Sequence, residues 1–182
     1  MFDPSRPFFQ ESSPLRVNGW KTYSPADPQY AASSMTLLQL ASYLGILTRV
    51  EKLLAVKKRG KISNLVHRRD EDCTNSLTCA ARRGHDEIVR LLLDRGANIN
   101  ARGRFSMTAL QEAASEGNKA VVQLLLARGA DVNAGSSTAL HKAARGGHKE
   151  VMRLLLDHGA NIHARDGFGK HYIRQRVGGL RL

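Results

Sequence analysis

The sequence predicts an all-α solenoid of stacked helix-turn-helix units. Two observations carry that prediction: one block of residues recurs three times, at steps of 33 and then 30 residues, and each copy closes its apolar runs on glycine. A third agrees with them. Hydrophobic residues make up 42% of the 182-residue chain but aromatic residues only 5%, so the core has to be built from many small Ala and Leu contacts. Repeats of this length are single supersecondary units that bury their apolar faces only by stacking on one another.

Each copy opens on a residue suited to cap a helix: Asn75, Thr108 and Thr138. Their side chains can satisfy backbone N–H groups left free in a first helical turn. Next come Ala80-Ala81, Ala113-Ala114 and Ala143-Ala144, small enough for short first helices to lie close together. Gly84, Gly117 and Gly147 follow where those helices should stop in the left-handed conformation. The runs Ile88–Leu93, Val121–Leu126 and Val151–Leu156 predict second helices with a broad apolar face, ending at Gly96, Gly129 and Gly159. The three missing residues fall between Ala134 and Thr138, so one connection is expected to be short.

These blocks resemble the ankyrin repeat, whose pattern reads Thr-Pro-Leu-His-x-Ala-Ala-x-x-Gly-His, Val-Val-x-Leu-Leu-Leu, Gly-Ala-Asp-Val-Asn-Ala. The likeness covers residues 75–164. The pattern's proline is replaced by Ser76, Ala109 and Ala139, and only His141 keeps its first histidine. The resemblance implies short β-hairpin-like loops, or fingers, between the units and an open concave face.

Upstream, residues 36–74 read as a degenerate first repeat, with Thr36 to Gly45 as its first helix, Val50 to Leu54 in its second and a long basic connection. Downstream, residues 165–182 open a fifth repeat at Asp166-Gly167-Phe168 and then lose the pattern, reading as a truncated repeat or tail. Residues 1–35 hold all five prolines, have no periodicity and are expected to be largely disordered. Trp20, Tyr23 and Tyr30 stand out within them as residues that could dock on the solenoid or on a partner.

The net charge is +12, but it is unevenly spread. Residues 1–35 are balanced, residues 36–105 and 139–182 are basic, and residues 106–138 carry one more acid than base. That neutral middle argues against a continuous phosphate-tracking stripe, so nucleic acid is the disfavoured partner and an acidic protein surface the favoured one. Lys57-Lys58-Arg59-Gly60-Lys61 could read as an import signal but is first a solvated loop. Cys73 and Cys79 form no disulfide framework, and the expected setting is the cytoplasm, the nucleus or both. The start lacks a secretory pattern, and the longest apolar stretch is too short to span a membrane.

No nucleophile elbow, carboxylate pair, phosphate loop or metal-ligand spacing is present, so the expectation is no enzyme, no catalytic or metal site and no cofactor. His85, His141 and His148 are expected to hydrogen-bond loops and neighbouring repeats, as the resemblance implies. It also places a partner surface on the fingers and on the two positions after each Ala pair. Carried onto this chain, that surface comprises Tyr43, Arg82, Arg83, Arg104, Phe105, Met107, Glu116, Arg145, Phe168 and Lys170. Leu44, Glu71, Asp72, Thr74, Ser115, Ser137 and Gly146 complete it. Aromatic residues ringed by Arg are the types that anchor protein interfaces. The expected function is thus a monomeric scaffold or adaptor that binds one or more proteins. The alternatives are a charge-driven binder of nucleic acid or another anionic surface, and a fragment of a larger ankyrin-containing enzyme or signalling protein.

Overall fold

The computed structural model describes residues 16–17, 20–21, 36–55, 75–135 and 137–164. Among them stand eight α-helices in four antiparallel pairs. The first pair is α1 (Leu37–Leu44) and α2 (Leu47–Leu54), the second α3 (Ser76–Arg83) and α4 (Asp86–Asp94). The third is α5 (Ala109–Glu116) and α6 (Lys119–Ala127), the fourth α7 (Ala139–Gly146) and α8 (Lys149–Asp157). The fold class is the one expected from the sequence. The first helices stack in one layer, α1 on α3 on α5 on α7, and the second helices form a looser layer behind them. Residues 36–55, degenerate as a pattern, form a helix pair like the others.

The heads of the repeats explain why the first helices start where they do. Thr36, Asn75 and Thr108 each accept a hydrogen bond from the backbone N–H three residues on, and the side chain there returns one. In the third repeat the Thr108 hydroxyl accepts from Gln111 N–H at 3.3 Å while Gln111 Oε1 accepts from Thr108 N–H at 2.7 Å. The fourth repeat departs from the expected cap. Thr138 Oγ1 lies 2.9 Å from His141 Nδ1, so its hydroxyl meets the imidazole rather than a backbone N–H. Thr108→Ala should cost about 1 kcal/mol, the usual value of a lost N-cap. A lowered urea midpoint with an unchanged slope would show it.

The glycine stops are closed by backbone hydrogen bonds, while α2 ends on Ala55 instead of a glycine. Asn118 N–H reaches back to Ala113 O at 2.9 Å, and Ala130 N–H to Leu125 O at 3.0 Å. Gly117 and Gly129 take φ of 77° and 82° at these turns. From the second helix pair onward, the residue after the first-helix glycine ties its repeat to the one before. His85 Nε2 donates to Tyr43 O at 3.1 Å, and His148 Nε2 to Ser115 O at 3.0 Å. Asn118 Nδ2 donates to Ala81 O and Arg82 O at 3.0 and 2.9 Å. These are the structural roles expected of His85 and His148.

The buried core runs the length of the stack and contains Leu, Val, Ile, Ala, Met152 and Cys79, with no aromatic residue among the described ones. Cys79 is buried, in keeping with a packing role. On the outside, Arg128 pairs with Asp94 and Lys119 with Glu150, each at 2.8 Å. The Lys119 ammonium holds the Glu150 carboxyl below its ordinary pKa. That bridge therefore contributes fully above the ordinary carboxylate pKa and is lost as pH falls from there through the lowered folded value.

Of residues 1–35 the structure describes a short antiparallel pair, β1 (Arg16–Val17) and β2 (Trp20–Lys21), in the register Arg16 with Lys21 and Val17 with Trp20. The expectation of disorder otherwise falls outside the described residues. So do the basic run Lys57–Lys61, Cys73, and the tail with Phe168 and Lys170.

Candidate interaction surface

The connection between the second and third repeats forms a finger. Arg102 and Thr108 make an antiparallel bridge, and Gly103 N–H donates to Met107 O at 2.7 Å. Its root is packed: a Cβ on Gly103 would lie 2.8 Å from Thr78 Oγ1, so only glycine fits against the head of α3. The tip is the single turn Arg104–Ser106, where Phe105 and Ser106 take φ of 52° and 57°. Left-handed backbone is costly for a side-chain-bearing residue, and here it occurs twice in succession. Phe105 is 79% exposed, while Met107 below it is half-buried.

The next finger is shorter, as the three-residue deletion implies. Gln111 Nε2 holds it down, donating to Ala134 O at 2.9 Å and to Ser137 O at 2.6 Å. The Phe105 finger therefore stands beside a lowered neighbour.

On the helix layer the structure brings several expected residues together. The Arg83 guanidinium lies 4.8 Å from the centroid of the Tyr43 ring, linking the first and second repeats. Arg82 Nε is 3.7 Å from Glu116 Oε1, linking the second and third. Each contact is worth only about 0.5–1 kcal/mol at an exposed site. A partner could therefore exchange either one at low cost. Arg145 is exposed on α7, and no described residue pairs with it. Charge on this face thus alternates along the stack: paired cations, one acid, then an arginine that no described residue pairs.

Gly103 and Gln111 shape the fingers, and reading the sequence missed both. The visible signals were a glycine beside the finger and a Gln in the place of the pattern's histidine. Among the described residues there is no cluster of His, Cys, Asp and Glu able to hold a metal ion, and no helix long and apolar enough to cross a membrane.

Comparison with protein families gives residues 101–166 as "Ankyrin repeats (3 copies)" and residues 74–104 as "Ankyrin repeat". Together the two matches span just over half of the chain. The chain belongs to the ankyrin repeat family. A search of curated proteins finds no match. Ankyrin repeats are in general protein–protein interaction modules. The helix pair α1 and α2 lies outside both matches; α1 starts on a capping box, as α3 and α5 do.

Proposed function

We propose that this ankyrin repeat protein is an adaptor that holds a partner protein with an acidic surface, using the Phe105 finger and the arginines of the first-helix layer. The observation that carries the reading is Phe105, a large and mostly exposed ring on a left-handed turn whose root packs through Gly103 against Thr78. A ring presented on a rigid support loses little entropy on binding, which makes it a good anchor. Arg82, Arg83 and Arg145 supply the charge complementarity, and the net charge of +12 favours fast encounter with an acidic surface. The protein acts in this reading as a monomer in the cytoplasm or nucleus, without catalysis.

Phe105→Ala tests it. The ring is exposed and Ala meets the same backbone strain, so stability should stay within about 0.5 kcal/mol. Recovery of specific partners in quantitative affinity purification should fall at least about tenfold, the loss of a moderate hot spot. Arg145→Glu should weaken the same partners. Identical partner recovery by wild type and both variants would overturn the proposal.

The net charge favours a second reading, binding to nucleic acid. It requires tight binding to duplex DNA at low salt that collapses as salt is added. The adaptor reading expects weak DNA binding even at low salt.

A further inference from the structure

The outer edge of the first repeat is finished on one helix and unfinished on the other. Terminal repeats normally present a polar outer face, because no further repeat covers them. On α2 that rule holds. Arg49 is exposed where the later repeats bury Ile88, Val121 and Val151, and Lys52 is exposed where they carry Leu91, Leu124 and Leu154.

On α1 the rule is reversed. Leu37 is 49% exposed, although Ser76, Ala109 and Ala139 at the same position are smaller and fully buried. Leu44 is 46% exposed, where Arg83 and Glu116 stand in the second and third repeats. Ile46 is 45% exposed, where His85, Asn118 and His148 donate to the preceding repeat's carbonyls. Leu37 and Leu44 are seven residues apart, two helical turns, and share one face. The edge is thus more apolar than its covered counterparts, and three of the four exposed large hydrophobic residues of the described chain lie on it.

Its shape and chemistry restrict what covers it. A second copy or a further repeat stacked in register would need a donor at position 46 and an apolar residue at 49. Ile46 and Arg49 supply neither. The strip along α1 is one helix wide, with Arg49 and Lys52 exposed on α2 beside it, which suits a single narrow segment. Such a segment is attached there: residues 1–35 join the stack at Thr36, one residue before the strip. They carry Phe2, Phe8, Phe9, Trp20, Tyr23 and Tyr30, most of the chain's aromatic residues, while the described core uses none. They also contain the β1–β2 pair, with Val17 opposite Trp20 and Asn18-Gly19 between them, the residue pair that favours a tight hairpin. A short tether gives such a segment an effective concentration in the millimolar range, so modest apolar contact suffices to hold it.

We infer that the N-terminal segment folds back on this edge as a built-in cap, with the β1–β2 hairpin against Leu37, Leu44 and Ile46 and Trp20 as its anchor. Trp20 is the chain's single tryptophan, so its fluorescence reports on the segment alone. In the folded 182-residue chain its emission should be blue-shifted, and its quenching by acrylamide lower, relative to the urea-unfolded chain. The double variant Leu37→Ser, Ile46→Asn installs residue types that later repeats carry at these positions. It should shift emission to the red and raise quenching to the unfolded-chain value while far-UV circular dichroism keeps its helical signal. Leu44→Glu, at an exposed position where the third repeat has Glu116, should move both readings the same way and serves if the double variant loses helix. Protection should not change on dilution. Native Trp20 quenched as freely as in urea, or protection unaltered in these variants, would overturn the inference. So would protection lost on dilution, which would assign the cover to a second copy.

Discussion

Gly117→Ala should destabilise the protein by about 2–4 kcal/mol, while Gly129→Ala, the same change at nearly the same φ, should cost only about 1 kcal/mol. Both glycines are left-handed, at 77° and 82°, so the conformational penalty is shared. The surroundings differ. A Cβ on Gly117 would lie 2.5 Å from His148 Nδ1 and 2.7 Å from its Cε1, whereas one on Gly129 would meet nothing within 4 Å. Relief requires the His148 ring to move, and that ring donates to Ser115 O at 3.0 Å across the repeat boundary. Moving it leaves a partly buried carbonyl without its partner, at about 1–3 kcal/mol. The two variants compared by urea denaturation separate the terms: equal losses would mean that the histidine contributes nothing beyond backbone geometry.

That comparison shows where the sequence was legible and where it was not. The stops themselves could be read directly, because glycine after an apolar run has one dominant physical meaning. Their energetic inequality could not, since it depends on a ring supplied by the next repeat, 31 positions further on. The capping heads divide in the same way. Thr36, Asn75 and Thr108 behave as local chemistry dictates, but Thr138 has a His three residues on in place of Gln or Thr, and its hydroxyl follows the imidazole.

The surface was legible as a set of positions and not as a set of contacts. Arg82, Arg83 and Glu116 were assigned to one face by their place after the Ala pairs, and Tyr43 by the matching place after Ala41-Ser42. That Arg83 would lie over Tyr43, and Arg82 beside Glu116, follows from the angle between successive helices, which no single repeat encodes. Phe105 was placed on a finger, but its left-handed backbone was hidden because phenylalanine carries no signal for it. The apolar edge of α1 was readable in principle. Comparing position 46 with 85, 118 and 148 shows Ile among His, Asn and His. A resemblance read repeat by repeat passes over that difference, since each repeat alone tolerates either residue.

Leu125→Ala is the substitution expected to damage the stack most. Leu125 is fully buried, as are Leu92 and Leu155 at the same position in the flanking repeats. Truncating such a leucine costs about 2–5 kcal/mol, with the upper end reached where the surroundings cannot collapse into the cavity. Collapse is restricted here. α6 is packed between α4 and α8, the second helices of the repeats on either side, so it cannot close up on one without leaving the other. Small stacked repeats hold together through nearest-neighbour interfaces, and the third repeat contributes to two of them. The whole domain has about 5–15 kcal/mol to lose. The urea transition of Leu125→Ala should therefore move to much lower concentration, with helical signal lost across the stack rather than from one repeat. A midpoint within experimental error of wild type would show that α6 is not packed between its neighbours as described. A split transition, with one half of the helical signal persisting, would show that the repeats on either side of α6 stand without it.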